Sequence, residues 1–214
     1  MTQEEQFFNK LINKTRLVYE SSPVYKKHGA NNNWHYAICD TPIQKDKGVF
    51  FGLNWGGKEH QAQTVHPSED YERDWKLAKH ANHYLNKHFN TGLSQLNYSN
   101  LCFFRTPTAK YLSYQDWQLS IPLFQEYVEF INPPWAIMMG NPKILNEEQF
   151  TNRKRLEFKA PNATRRSFAY VGLLFGKYPF GAVPHSAARC SPETHNVLWE
   201  KMYLELQILI EKEV

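Results

Sequence analysis

Apolar residues recur at helical spacing early in the chain, where Phe8, Leu11, Ile12, Thr15, Val18 and Tyr19 share one face. A turn-rich loop through Gly29-Ala30-Asn31-Asn32-Asn33 follows. Lys47 to Leu53 then reads as a strand, closed by the glycines of FFGLNWGG at residues 50–57. Beyond it, Ser68-Glu69-Asp70 can cap a helix whose inner face holds Tyr71, Trp75, Ala78, Leu85 and Phe89. Tyr98 to Phe104 predicts a second strand, stopped by Thr106-Pro107. Pro122 to Phe130 predicts a helix, and Trp135 to Met139 a third strand ending at Gly140. Two more extended runs, Phe168 to Phe175 and Phe180 to Val183, lead to Pro184-His185-Ser186. Ser191-Pro192-Glu193 reads as cap, first-turn proline and first-turn acid of a last helix that buries Leu198, Met202, Leu206 and Leu209.

Strands alternating with helices predict a three-layer α/β/α sandwich with a central, mostly parallel four-stranded sheet. One domain is expected over residues 1–214, with 1–46 as an N-terminal helix and loop and 47–214 as sheet and helices. Ligands of such sheets bind at the carboxyl ends of strands. Chemistry is therefore expected at Asn54, around Asn100, at Gly140-Asn141 and at His185-Ser186. These places offer amides, a histidine and small residues. They lack a nucleophile–base pair, clustered carboxylates and a GxxxxGK[ST] loop.

Composition narrows this only in part. An apolar fraction of 42% over 214 residues excludes disorder, and 15% aromatic residues supply either a dense core or stacking surfaces. A net charge of +4 permits a polyanionic partner without requiring one. Residues 151–166 concentrate six basic side chains (Arg153, Lys154, Arg155, Lys159, Arg165 and Arg166) against Glu157, as a solvated loop or a track for a DNA backbone. The start MTQEEQFFNK carries acids and no apolar leader, and no run reaches the ~18 apolar residues of a membrane span, so a cytoplasmic protein is expected. Three dispersed cysteines, Cys39, Cys102 and Cys190, read as reduced thiols, too few to hold an iron–sulfur cluster alone. His80, His83 and His88 lack a convincing fourth ligand and read as helix surface, so no metal or other cofactor is expected.

In their order and spacing, four motifs resemble the uracil-DNA glycosylase superfamily. GLNWGG is similar to its first motif, in which an Asn or Asp precedes a proline and glycine. Ser99 to Pro107, SNLCFFRTP, is similar to its middle strand, opened by an asparagine. Pro122-Leu123-Phe124 through Gly140 follows its helix, proline, apolar strand and glycine. Val183-Pro184-His185-Ser186-Ala187-Ala188-Arg189 stands where that family has a His-Pro-Ser motif. Two departures matter: Trp55 replaces the usual proline, and Ser186 follows the histidine directly. The literal His66-Pro67-Ser68 lies between the first two strands and reads as the lead into a helix.

The resemblance implies removal of uracil or a related base from DNA, single- or double-stranded, by a monomeric enzyme. Cleavage of the glycosidic bond builds positive charge on the sugar and negative charge on the departing base, so no strong base is needed. Asn54 would then orient the attacking water through its carbonyl, and His185 would donate to the base as it leaves. Asn100 would read the base, with Gly52, Leu53, Trp55 and Tyr71 around it. Its amide matches the acceptor and donor of uracil, whereas cytosine leaves groups unpaired at roughly 1–3 kcal/mol each. Asn97 is the weaker substitute for Asn100 if the register differs. Ser186, Ala187 and Arg189, with Arg165 and Arg166, would hold phosphates. Glu193 and His195 read as helix start, and Cys102 as packing. Two other functions fit the same residues: a nucleic-acid-binding module without catalysis, and a hydrolase of small nucleosides.

Overall fold

A computed structural model describes residues 1–29, 32, 34–56, 62–67, 76–188 and 190–213. In chain order the main elements are α1 (Gln3–Ser21), β1 (Val49–Trp55), α2 (Lys76–Phe89), β2 (Asn97–Arg105), α3 (Tyr114–Ile131), β3 (Ala136–Met139), β4 (Phe150–Phe158), β5 (Ser167–Leu174), β6 (Tyr178–Val183) and α4 (Pro192–Glu213). The fold is α/β: a six-stranded mixed sheet of order β2-β1-β3-β6-β5-β4, flanked by helices. No described helix is long and apolar enough to cross a membrane.

The sheet corrects the expected four strands. β3 and β6 do pair in parallel, but β6–β5 and β5–β4 are antiparallel. The reason lies in the connections: a turn with Phe175 at φ 52° and Gly176 at φ 70° joins β5 to β6, too short for a parallel crossover. β4 was hidden in the basic stretch because only Phe150 and Leu156 are buried along it, which masks any alternation. Charged side chains suit this position, since β4 is the sheet's outer strand and resists pairing with other chains. It bulges between Thr151 and Lys154, with Asn152 at φ 52°.

Contacts group the chain into two compact units. The first holds residues 1–46, 51–71 and 97–132, and contains α1, most of β1, β2 and α3. Helix α1 begins where sequence chemistry asks it to: Thr2 and Glu5 form a reciprocal capping box. Phe8, Leu11, Ile12, Thr15 and Tyr19 are its buried face, as the spacing predicts, while Val18 of the same expected face is only half-buried. Helix α3 starts earlier than Pro122 because Ser113 and Asp116 form a second capping box, and Pro122 lies inside the helix. Ser120 on α3 accepts a hydrogen bond from the Phe103 amide at 2.8 Å, pinning the helix to β2. The outer side of β2 is covered by segment 35–40: Ala37 donates to the Phe103 carbonyl at 2.9 Å, and Asp40 to that of Tyr98 at 3.0 Å.

The second unit holds residues 47–50, 72–96 and 133–214. Here α4 packs on β4, β5 and β6, and α2 packs on α4. Ser191 caps α4 as predicted, its hydroxyl accepting from the Thr194 amide at 3.2 Å. The helix buries Leu198, Trp199, Met202 and Leu206, while Leu209 is only half-buried. Gly181 on β6 lets α4 approach: a Cβ there would stand 2.3 Å from Sδ of Met202.

Candidate functional site

Strand β1 runs two residues further than its apolar pattern suggests, so Asn54 and Trp55 belong to the strand and not to the turn. Successive side chains of a strand point to opposite faces. Gly52 and Asn54 therefore share one face of β1, and Trp55 takes the other. On that other face Trp55 is 4% exposed, and its indole donates to the Ala37 carbonyl at 2.8 Å. Its ring meets Tyr98 edge-on with centroids 6.0 Å apart. Trp55 is core, and its bulk ties the end of β1 to the segment covering β2.

The face with Gly52 and Asn54 is different in kind. Asn54 is half-buried, and its amide nitrogen donates to Oγ1 of Thr106 at 3.0 Å, with longer contacts to the carbonyls of Thr106 and Trp55 at 3.3 Å. Three acceptors around one nitrogen decide which end of the amide is which. The carbonyl oxygen of Asn54 is thereby left as an acceptor with no hydrogen bond to a described residue. Thr106 is fixed in turn: it is 1% exposed, its hydroxyl donates to the Thr108 carbonyl at 2.9 Å, and its amide donates to Trp55 at 3.2 Å. Sequence reasoning read Thr106 only as a strand stop. Its signal was present, because a threonine beside Pro107 has a hydroxyl to offer where the ladder ends.

Asn100 lies beside this pair. A Cβ built on Gly52 would stand 2.5 Å from Oδ1 of Asn100, so only glycine leaves room for the amide against β1. Asn100 is 4% exposed, and its side-chain amide makes no hydrogen bond to any described residue. The residue is largely buried, but its side-chain oxygen and nitrogen still touch solvent. Asn97, the alternative, is already satisfied: Gln44 donates to its Oδ1 at 2.9 Å and accepts from its Nδ2 at 2.8 Å. Of the two asparagines on β2, Asn97 is tied to Gln44 through both ends of its amide, and Asn100 is not tied to any described residue. Gly52, Leu53, Asn54, Trp55 and Asn100 thus all fall in the first unit, on or beside one strand. Tyr71, Trp75 and the Ser68 cap lie outside the described residues.

His185 belongs to the second unit, in the turn after β6. Its Nδ1 accepts from the Ala187 amide at 3.0 Å, which places the proton on Nε2 and leaves that N–H as an outward donor. Although His185 is exposed, desolvation by the surrounding chain lowers its pKa, so the neutral form is favoured. Ser186 is half-buried and Ala187 exposed in the same turn, which the Ala188 amide closes on the His185 carbonyl at 2.8 Å. Arg189 lies outside the described residues.

Arg165 and Arg166 line a cavity of about 900 Å³ together with Cys190, Ser191, Glu193 and Thr194. Most of the basic stretch is otherwise engaged. Arg153 donates to the carbonyls of Phe150, Leu145 and Asn146. Lys154 pairs with Glu205, Arg166 with Glu157, and Arg155 lies over the Phe168 ring at 4.9 Å. A continuous free cationic track is not what these six residues form.

His83 is exposed as expected, but His80 and His88 are half-buried. His80 meets the His195 ring edge-on at 4.6 Å, and desolvation followed by the neighbouring histidines pushes its pKa down to about 4. His195 does belong to the first turns of α4, with its Nε2 3.1 Å from Sγ of Cys190. Among the described residues no group of three or more His, Cys, Asp or Glu is arranged to hold a metal ion. Cys39 and Cys102 are buried thiols whose pKa values burial raises, Cys102 to about 12, which makes them packing groups rather than nucleophiles. His66 also proves structural, its Nε2 accepting from the Ile43 amide at 3.1 Å. Comparison with protein-family models found no match to this chain, and comparison with curated proteins found none either.

Proposed function

We propose that the chain is a monofunctional DNA glycosylase that hydrolyses the N-glycosidic bond of uracil, or of a related deaminated or damaged base, as in base-excision repair. The observation that carries this reading is Asn100: a largely buried residue whose amide reaches solvent, has no hydrogen bond to a described residue and lies against a glycine. A pyrimidine with an acceptor at its 4-oxygen and a donor at its ring N–H satisfies both ends at once. A base in a duplex cannot reach such a group, so the target nucleotide must leave the stack or come from a single strand.

Two further features support the chemistry. With its nitrogen held by Thr106, Asn54 presents a carbonyl that can orient a water but cannot remove its proton strongly. That suffices where the sugar centre is already cationic. His185, neutral and protonated on Nε2, has the donor that a departing anionic base requires without burying a second charge. The motif resemblance supplies the pairing of these two roles, and Ser186, Ala187, Arg165 and Arg166 are the phosphate-holding groups of the same reading.

The test is incubation with end-labelled uracil-containing oligonucleotides, single- and double-stranded, followed by alkaline cleavage of abasic sites. Product from the native chain that disappears in Asn54→Ala and His185→Ala is the expected result. Tight binding of the same oligonucleotides with no abasic product, across uracil, hypoxanthine and xanthine, would replace the enzyme by a binding module. Turnover of free nucleosides with little dependence on salt would replace it by a small-molecule hydrolase.

A further inference from the structure

The first unit also carries an aromatic surface that the glycosylase reading leaves unused. Tyr111 and Tyr114 are 45% and 71% exposed, among the largest apolar side chains open to solvent. Tyr111 is held from behind: its ring lies 4.8 Å from that of Trp34 and 5.5 Å from that of His28. His28 and Trp34 are themselves 5.1 Å apart, so the three rings form one cluster. Trp34 is only 8% exposed, and its carbonyl accepts from the hydroxyl of buried Tyr19. The support of Tyr111 is therefore core, while Tyr111 itself keeps an open side.

Charge accompanies these rings. Lys26 and Lys27 are exposed next to His28, and Lys110 is exposed next to Tyr111. Residues 21–34 and 106–115 contain no acid at all. The two nearest in the chain are engaged: Glu20 pairs with Arg16, and Asp116 is buried, accepting from Val24 and Ser113. The surface also connects to the strand chemistry by bonds within this unit. The Thr106 hydroxyl that holds Asn54 donates to the Thr108 carbonyl, and Thr108 directly precedes the short turn Ala109–Tyr111.

We propose that this surface is a stacking platform for unpaired bases of a single-stranded nucleic acid, with Tyr111 and Tyr114 under the bases and Lys26, Lys27 and Lys110 on the flanking phosphates. Open aromatic rings bind any base face, and cations beside them track a backbone. A duplex offers the phosphates but no open base faces, because its bases are already stacked. A protein partner would need apolar area beyond two tyrosines, whereas three lysines without a counter-acid complement a polyanion. The inference rests on reading the chain as a nucleic-acid protein, and does not require catalysis.

Fluorescence anisotropy with a short labelled oligonucleotide free of uracil tests it, using the full chain, a single strand and the same sequence as duplex. Tyr111→Ala and Tyr114→Ala are each expected to weaken single-strand binding about tenfold. Duplex binding should change less than about twofold. Tyr111→Phe should retain single-strand affinity, which separates lost stacking from a disturbed fold. Lys26→Gln, Lys27→Gln and Lys110→Gln combined should reduce the slope of log affinity against log salt by about two. Unchanged single-strand affinity in both alanine variants overturns the platform, as does an equal loss on duplex. A dimer abolished by Tyr111→Ala at unchanged oligonucleotide affinity also overturns it, in favour of self-association. The two readings fail separately: tyrosine-dependent binding without uracil excision sinks catalysis alone, and excision with tyrosine-independent binding sinks the platform alone.

Discussion

The amide face of β1 and β2 and the basic hairpin of β4 and β5 make opposite use of polar side chains. On the first, Asn100 is buried with its hydrogen-bonding capacity unspent, and Asn54 has one end of its amide fixed and the other unclaimed. On the second, four of the six cations in a run that looks like a track already have local partners, two of them carboxylates. Charge density in sequence is thus a poor guide to charge available for a ligand, because exposed cations find local partners readily. A recessed amide held against a glycine has few neighbours to bond, so its lack of a protein partner says more.

The largest test of this contrast is Asn54→Ala. If the proposed function holds and its carbonyl orients the water, uracil excision is expected to slow by about 10²-fold or more. Its stabilising contact is a single amide–hydroxyl bond, so thermal stability should fall by only about 1 kcal/mol. Circular dichroism melts alongside single-turnover excision give both numbers, and equal loss in both would assign Asn54 a structural role. Gly52→Ala should rank next. The new methyl group meets the far end of the Asn100 side chain, which can rotate away. Excision is then expected to fall about tenfold or more by mispositioned recognition, at a stability cost of about 1 kcal/mol. An Asn100→Ala, Gly52→Ala double variant no worse than Asn100→Ala alone would show that Gly52 acts through Asn100.

A pH profile makes a smaller but sign-specific prediction. The His185 pKa lies below the ordinary value of 6.5, so the neutral donor form persists as pH falls through that value. Excision should stay flat from alkaline pH down past about 6.5 and drop only below it, as protonation turns Nδ1 into a donor and breaks the Ala187 bond. An inflection above 6.5 would contradict the geometry. In the same unit, His80 has a folded pKa of about 4 against 6.5 unfolded. Stability is therefore full above about 6.5 and declines as pH falls toward 4, since the unfolded chain takes the proton first. His80→Gln should flatten that slope of melting temperature against pH.

Much of this architecture was legible. Periodic apolar faces placed α1, and the Ser191-Pro192-Glu193 signature placed α4, because caps and stripes are local properties of a few residues. The extent of α3 was misread because Pro122 looks like a start, while the capping box at Ser113 decides. β4 was missed because an outer strand need bury only one side, so charges replace its alternation. On the amide face, the glycine and the two asparagines were visible as residue types at strand positions. What the sequence could not show was orientation: that Thr106 fixes Asn54, that Gln44 occupies Asn97, or that Trp55 faces the core. Those depend on residues distant in the chain meeting across a sheet.

The smallest effects come from the hairpin, and they are the sharpest check on the contrast. Lys154 is paired with Glu205, and both are partly exposed, so Lys154→Ala should cost at most about 1 kcal/mol of stability and leave DNA affinity nearly unchanged. Arg165 lines the cavity at the start of α4, has no ion pair to a described residue and is exposed. If it meets a phosphate, Arg165→Ala should weaken DNA binding by about two- to threefold, equally for every sequence, and lower the salt slope by about one. Isothermal binding across a salt series, with melting curves for both variants, compares them directly. A larger affinity loss for Lys154→Ala than for Arg165→Ala would mean that the hairpin's ion pairs open to meet DNA. In that case charge counted in the sequence would be the better guide after all.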